Sequence, residues 1–232
     1  MDYFEKTKEN KPETVRHMFD QVAPKYDCFN RILSLGLDKL WRKRAIRNLK
    51  TNLAQEGFIL DMGCGSGDLA IDISHHDTVI GMDFCRGMLK EAALKNKSLP
   101  LCQGDATQLP FANNVLRGVI SAFVIRNVGS LANCCHEVYR CLQPGAKVVI
   151  LEFALPQNPI FRIGFLTYLK IMFPIACSLF KGDTEAYEYL RKSIQSFGEN
   201  INVVEHLENA GFNHVKATPL LLGGVNMYEG IK

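Results

Sequence analysis

Neither sign of charge dominates the 232 residues: 27 Lys and Arg stand against 24 Asp and Glu, a formal net charge of +3. So small an excess creates no field for gathering nucleic acid. Nowhere do basic and aromatic residues interleave as a single-strand binder requires, so neither RNA methylation nor any nucleic-acid partner is expected. No apolar leader opens the chain, so the eight cysteines are expected to be reduced thiols in a cytoplasmic protein. The adjacent Cys134, Cys135 and His136 lack metal-ligand spacing; packing in a core or on a helix surface suits them better, and no metal is expected. Long hydrophobic runs are missing too. Residues 160–181 are the most apolar part, but Arg162, Lys170 and Pro174 cut them to about ten uncharged residues, where a spanning helix needs about 20. There is no internal repeat and no low-complexity segment. What remains is an ordinary globular composition, 47% hydrophobic and 22% charged, long enough for one domain with a cap.

The most informative stretch runs from Phe58 to Asp83. An apolar run, Phe58-Ile59-Leu60, leads through Asp61-Met62 into Gly63-Cys64-Gly65-Ser66-Gly67-Asp68. A helical segment follows over Leu69 to Ser74, then a second apolar run from Thr78 to Met82 that closes on Asp83. Strand, glycine turn, helix, strand and acid make a nucleotide-binding βαβ unit. Gly63, Gly65 and Gly67 lack a Cβ, so the chain turns sharply and a cofactor can approach the backbone. Asp83 can accept both hydroxyls of a ribose. In dinucleotide sites the sixth loop position is glycine and pyrophosphate rests on the helix N-terminus. Here that position is Asp68, and Asp61 adds a second carboxylate. Both repel pyrophosphate and suit a cation, which favours S-adenosylmethionine over NAD. A plain structural glycine turn accounts for the bend but not for the acids.

The rest reads as alternating helices and strands. Val15, Met18, Phe19 and Val22 recur at helical spacing before Pro24, and Trp41 leads a helix with a basic face of Arg42, Lys43, Arg44, Arg47 and Lys50, a pattern most often solvated. Beyond Asp83, a helix from Gly87 to about Lys97 precedes a short strand at Pro100–Gln103. Asp105 and Ala106, at its carboxyl end, can meet an adenine edge. Gly118 to Phe123 forms a buried strand ending near Arg126-Asn127. A helix carrying Leu131, Val138 and Leu142 stops at Gln143-Pro144-Gly145, and Lys147 to Phe153 is the next strand. Residues 160–181 form a buried helix or a lid opening onto lipid. Helices at Tyr187–Phe197 and Val203–Ala210 precede strands at His214–Pro219 and Gly223–Ile231. Those two strands lie too close for a crossover helix and must be antiparallel. The expected architecture is α/β: a mostly parallel, seven-stranded Rossmann-like sheet of the class I methyltransferase type, ending in an antiparallel hairpin. It divides into a helical cap at 1–50 and a core at 51–232, with a lid insertion at about 157–198, in one domain.

Two stretches are more specific: Tyr26-Asp27 with Asn30, Ser34, Gly36 and Trp41-Arg42; and Arg126-Asn127-Val128, running through Glu137-Val138, Arg140, Leu142 and Pro144-Gly145 to Leu151-Glu152-Phe153 and Pro156. Asp83 with Met88-Leu89, Leu109-Pro110-Phe111 and Tyr187 to Ile194 extend the pattern. On these residues the chain resembles the ubiquinone and menaquinone biosynthesis C-methyltransferase family over nearly its whole length. The resemblance implies S-adenosylmethionine-dependent methylation of a ring carbon on a polyprenylated quinol, demethylmenaquinol before the benzoquinol of the ubiquinone pathway.

By position, the resemblance implies cofactor contacts at Ser66, Asp83, Asp105 and Ala106, with Asp61, Gly63, Gly65, Gly67 and Met88 completing the wall. Ala122 stands where the family has serine, which removes one hydrogen bond. Tyr26, Asn30, Trp41 and Tyr228 are expected on the acceptor side, Tyr228 replacing a common histidine; Phe29 replaces a methionine. Arg126 and Asn127 are the expected catalytic pair. Arg126 stays protonated and so serves a phenolate rather than acting as base, unless it is a buried ion-pair partner; Asn127 orients a hydroxyl or a water. Transient contact with a membrane surface is also expected, with Phe165 and Leu169 as the lid positions whose charging should most hurt long-tailed acceptors. A non-catalytic cofactor-binding module would have no need of the Tyr26 and Arg126 stretches. Oligomeric state is not encoded in any readable pattern.

Overall fold

The apolar runs become the strands of one sheet in a computed structural model that describes residues 31, 34–50, 56–180 and 184–232. They are β1 (Phe58–Met62), β2 (Val79–Asp83), β3 (Leu101–Gln103), β4 (Leu116–Ala122), β5 (Leu142–Phe153), β6 (Asn213–Leu220) and β7 (Val225–Ile231). Their order is β3-β2-β1-β4-β5-β7-β6. The first five pair in parallel, and β7 runs antiparallel to both β5 and β6. The expected α/β architecture and its reversed final pair are both present.

Period-two alternation sends neighbouring side chains to opposite faces. On one face Leu60, Met62, Val119, Val148 and Ile150 pack under α4 (Leu131–Cys141) and α7 (Val203–Asn209). On the other, Ile59, Ile120, Val149 and Leu151 meet α1 (Asp38–Leu49) and α2 (Asp68–Ser74). Trp41, Ala45 and Leu49, four residues apart, are the buried edge of α1, as helical spacing requires. Ser130 caps α4 by accepting the Asn133 N–H. Cys134 and Cys135 are buried on the inner side of α4; desolvation raises both thiols, that of Cys135 to about 12.

Three local readings differ from the sequence expectation. Leu142 belongs to β5 rather than to the helix before it, because it pairs with Leu116. Gln143-Pro144-Gly145 is not a break between elements: it is an irregularity inside β5, where the register jumps from Leu116↔Leu142 to Gly118↔Lys147. Pro144 has no N–H to give a ladder and Gly145 sits at φ +79°, so the bulge absorbs both. Phe123 lies just past the strand, its N–H still donating to Leu151 O at 2.7 Å, with a left-handed φ of 64°, a conformation that costs a non-glycine residue ~1–3 kcal/mol. Its ring is held against Phe153 at 4.8 Å and Trp41 at 6.2 Å.

Residues 159–180 form a single helix, α5 (Pro159–Phe180), followed by α6 (Thr184–Asn200). Phe165 and Leu169 turn inward onto Leu155, Leu190 and Ile194. They are core, so the side that meets solvent is a different one. Ile160, Ile163, Ile171 and Ile175, at 76%, 67%, 55% and 45% exposure, line up with Gly164 and Thr167 along one face. No helix among the described residues is long and apolar enough to cross a membrane.

Candidate active site

The carboxyl ends of the parallel strands open onto a cavity of about 1040 Å3, counting its open mouth. Here β1 and β4, neighbours in space but not in sequence, send their connections to opposite sides, the usual place for a ligand in an open α/β sheet. The glycine loop forms one wall and is stitched to β2 through Gly63 N–H and Cys64 N–H, which donate to Met82 O at 2.7 and 2.9 Å. Gly63 has φ +73°, and a Cβ there would lie 2.4 Å from Val124. Only glycine lets the two strand ends approach so closely. Gly67, at φ +85°, starts α2 and packs on Ala92 of α3 (Arg86–Lys95); it does not line the cavity.

Asp83 fastens the loop as well as facing the cavity. Its Oδ2 accepts the Gly65 N–H and its Oδ1 the Cys85 N–H, both at 2.8 Å. Across the cavity, Asp105 Oδ1 takes both the N–H and the hydroxyl of Thr107 at 2.8 Å, which leaves Oδ2 for a ligand. Ala106, Met88, Ser66, Gly65, Gly63 and Ala122 also line the space. Ser66 Oγ accepts from Lys95 Nζ at 3.0 Å.

The two loop acids separate. Asp68 is paired with Lys95, and Arg31 and Arg42 each stand 3.9 Å from its Oδ2. Its charge is answered within the protein, and it is not part of the cavity lining; the electrostatic expectation placed on it is corrected. Asp61 is the opposite case. It lines the cavity at 1% exposure, and neither of its oxygens has a hydrogen-bond partner among the described residues. Burial pushes its carboxyl up to about 7; the Arg42 charge opposes this, as does the Ala70 N–H, which points at the carboxyl without reaching hydrogen-bond geometry, and Asp83 adds to it. Arg42, read from the sequence as part of a solvated basic face, instead turns its side chain inward at 13% exposure and lines the same cavity.

The acceptor-side candidates are spread out. Asn127 lines the cavity and its Oδ1 accepts the Tyr189 hydroxyl at 3.0 Å. Arg126 does not line it. The guanidinium is buried, with Nη1 donating to Glu152 Oε1 at 2.8 Å and Phe123 O at 2.6 Å, and it stacks over Phe153 at 5.4 Å. Its backbone N–H donates to Glu152 Oε2 at 3.2 Å. Trp41 sits in the core behind Phe123. Tyr228 is buried in β7 with its hydroxyl accepting from Asn226 at 3.2 Å. Neither touches the cavity. Tyr26 and Asn30, with Phe29, lie outside the described residues. No group of three or more His, Cys, Asp or Glu among the described residues is arranged to hold a metal.

Strand order, the glycine loop, the acid ending β2 and a cavity at the strands' carboxyl ends define a class I methyltransferase, the class that uses S-adenosylmethionine as methyl donor. The solved structures agree in fold. A SAM-dependent methyltransferase from Thermotoga maritima superposes with a TM-score of 0.62 at 15% identity, over 93% of this chain and 99% of that one. One from Aquifex aeolicus gives 0.54 at 16%, over 82% and 88%. The profile of the ubiE/COQ5 methyltransferase family matches residues 5–232, and the chain belongs to that family. It is 37% identical to the demethylmenaquinone methyltransferase of Lactobacillus johnsonii, over 94% of this chain and 92% of the relative. It is 35% identical to the ubiquinone/menaquinone biosynthesis C-methyltransferase UbiE of Syntrophotalea carbinolica, over 95% and 94%.

Proposed function

We infer that the protein methylates a ring carbon of a polyprenylated quinol, a demethylmenaquinol before a benzoquinol. The likeness across almost the whole chain to a protein named for demethylmenaquinone carries this reading. The cavity fits the donor on its own evidence. An amino-acid end bearing an ammonium and a carboxylate needs one acid and one base, and Asp61 and Arg42 both line the space. The unpartnered, buried carboxylate of Asp61 is costly unless a cation answers it. Asp83 suits a ribose diol, and Asp105 with Ala106 an adenine edge. S-adenosylmethionine, when bound, supplies an electrophilic methyl carbon.

The chain's own residues act on the acceptor. A quinol ring carbon becomes nucleophilic as a neighbouring hydroxyl loses its proton, and after methylation the ring releases its own C–H proton to regain aromaticity. Asn127 has its Oδ1 engaged by Tyr189, so its NH2 end is the one to hold the developing phenolate oxygen or a water that takes the proton. Arg126 acts from behind, fixing the 125–127 turn through Glu152. The test is to incubate the protein with isotopically labelled donor and reduced demethylmenaquinol or the benzoquinol, then locate the label by mass spectrometry. Label on the naphthoquinol ring supports the reading. Label on the benzoquinol alone would shift it to the second acceptor, and label on neither would end it.

The Asp61 carboxyl gives a pH prediction. Its folded value is raised, so its contribution to apo stability is fully present below about pH 4 and lost as pH rises through about 7. An ammonium partner reverses that penalty. The thermal shift produced by the donor should therefore grow from pH 5.5 to pH 7.5, with affinity about thirtyfold weaker at the lower pH. Asp61→Asn should abolish this dependence. A flat profile in the unaltered protein would place the ammonium elsewhere.

A membrane-dissolved prenyl tail also calls for apolar surface near the site. α5 has no acidic residue among its 22; of its two cations, Arg162 donates to Pro156 O at 3.2 Å and Lys170 flanks the isoleucine face, so that face suits an anionic bilayer, where such a cation contributes about 1 kcal/mol. The α5–α6 pair would then be the lid over the acceptor. Sedimentation with anionic vesicles should pull down the protein and salt should release it, while Ile163→Glu with Ile171→Glu should remain folded and in the supernatant. Equal binding by that variant would return α5 to ordinary surface.

A further inference from the structure

We propose that Tyr189 is a positioning residue: its hydroxyl sets the orientation of the Asn127 carboxamide, and so ties the seating of the α5–α6 hairpin to the acceptor wall of the cavity. The proposal rests on the reading of that wall given above. The Asn127 backbone is already fixed, its N–H donating to Val124 O at 2.8 Å while the neighbouring Arg126 is locked to Glu152 from both guanidinium and N–H. None of this decides which end of the amide faces the cavity, because the terminal torsion of asparagine is broad and its two ends are nearly isosteric. A hydroxyl that donates to Oδ1 selects one end, since the flipped amide would have to use that hydroxyl as its acceptor instead.

Tyr189 is that donor, at 3.0 Å. It is 2% exposed, and burial pushes its phenol up to about 12, with Glu152 adding to the effect and Arg126 opposing it. The hydroxyl therefore stays protonated across the working range. Tyr189 lies on α6, next to Leu190 and five residues before Ile194, the residues that grip Phe165 and Leu169 of α5. A hydroxyl bond at 3.0 Å is at the long end of its range, so a hairpin shift of ~0.5 Å would break it. Engagement of the outer face of α5 by a tail or a bilayer is thus felt at the amide that meets the acceptor.

The test compares Tyr189→Phe, Asn127→Ala and the double variant with the unaltered protein. Tyr189→Phe keeps the ring and the packing. It should lower kcat for demethylmenaquinol about three- to tenfold, the worth of one neutral hydrogen bond, with donor affinity unchanged within about twofold. In the Asn127→Ala background the same change should cost almost nothing further. NMR of the donor-loaded protein should show the Asn127 side-chain NH2 pair moving or broadening in Tyr189→Phe. Unchanged turnover, an equal loss in both backgrounds, or an unmoved NH2 pair overturns the proposal. If the unaltered protein methylates no quinol, the reading of function fails separately, and the NMR comparison still decides the role of Tyr189.

Discussion

Arg126→Ala is expected to lower the thermal midpoint by roughly 10 °C. The guanidinium and Glu152 form an ion pair whose side chains are 2% and 0% exposed, so removing one partner leaves a carboxylate deep in the core without its counter-charge. Breaking a buried pair costs about 3–5 kcal/mol, and in a protein of this size each kcal/mol moves the midpoint by about 2–4 °C. Two further losses point the same way: the stacking over Phe153, and the bond to Phe123 O, which steadies a residue at φ 64°. Arg126→Met combined with Glu152→Gln should be less damaged than either single change, because no unpaired charge remains. Calorimetric unfolding of the donor-free proteins measures all four variants. A normal midpoint with turnover reduced a hundredfold or more would instead put Arg126 in contact with the acceptor.

Asp83→Ala should weaken the methyl donor by about a hundredfold or more. Hydrogen bonds to a charged group contribute roughly 1.5–3 kcal/mol each, and this carboxylate has two kinds to lose. One kind would go to the ribose hydroxyls. The other comprises the 2.8 Å bonds from the Gly65 and Cys85 N–H groups, which hold the glycine loop against the end of β2. The variant thus disorders the wall as well as removing a contact. Asp83→Asn keeps one acceptor oxygen and should fall between the two. Isothermal titration decides the matter, with NAD as a control that should bind none of them. Full affinity in the alanine variant would mean that the donor lies elsewhere.

The strands around the glycine loop were legible because apolar runs, positive-φ glycines and a terminal acid are all local signals. Residues whose meaning depends on distant partners were not. Arg126 and Glu152 are 26 positions apart, and nothing in either neighbourhood announces the pair. Arg42 looked solvated because helical spacing says which side of α1 is apolar but not which flank borders a cavity. Asp61 and Asp68 are equivalent on paper; only the tertiary arrangement of Lys95, Arg31 and Arg42 separates the answered charge from the waiting one. Phe165 and Leu169 illustrate the same limit. In a helix apolar nearly all round, sequence alone does not tell the packed side from the bare one. Tyr189 lay within a stretch already marked by resemblance, but its partner Asn127 is 62 positions away.

The placement of β7 between β5 and β6 has a consequence for the protein as it leaves the ribosome. β6 is made first, yet among the described residues it borders no strand except β7, and the outer edge of β5 waits for the same seven residues, Val225–Ile231. Until they emerge, the nascent chain presents two open rows of backbone donors and acceptors, the kind of edge that recruits strands from other molecules. Insertion of β7 then closes both rows at once. A message cut short anywhere between the codons for Leu220 and Val225 would therefore yield an aggregation-prone chain rather than a slightly trimmed enzyme.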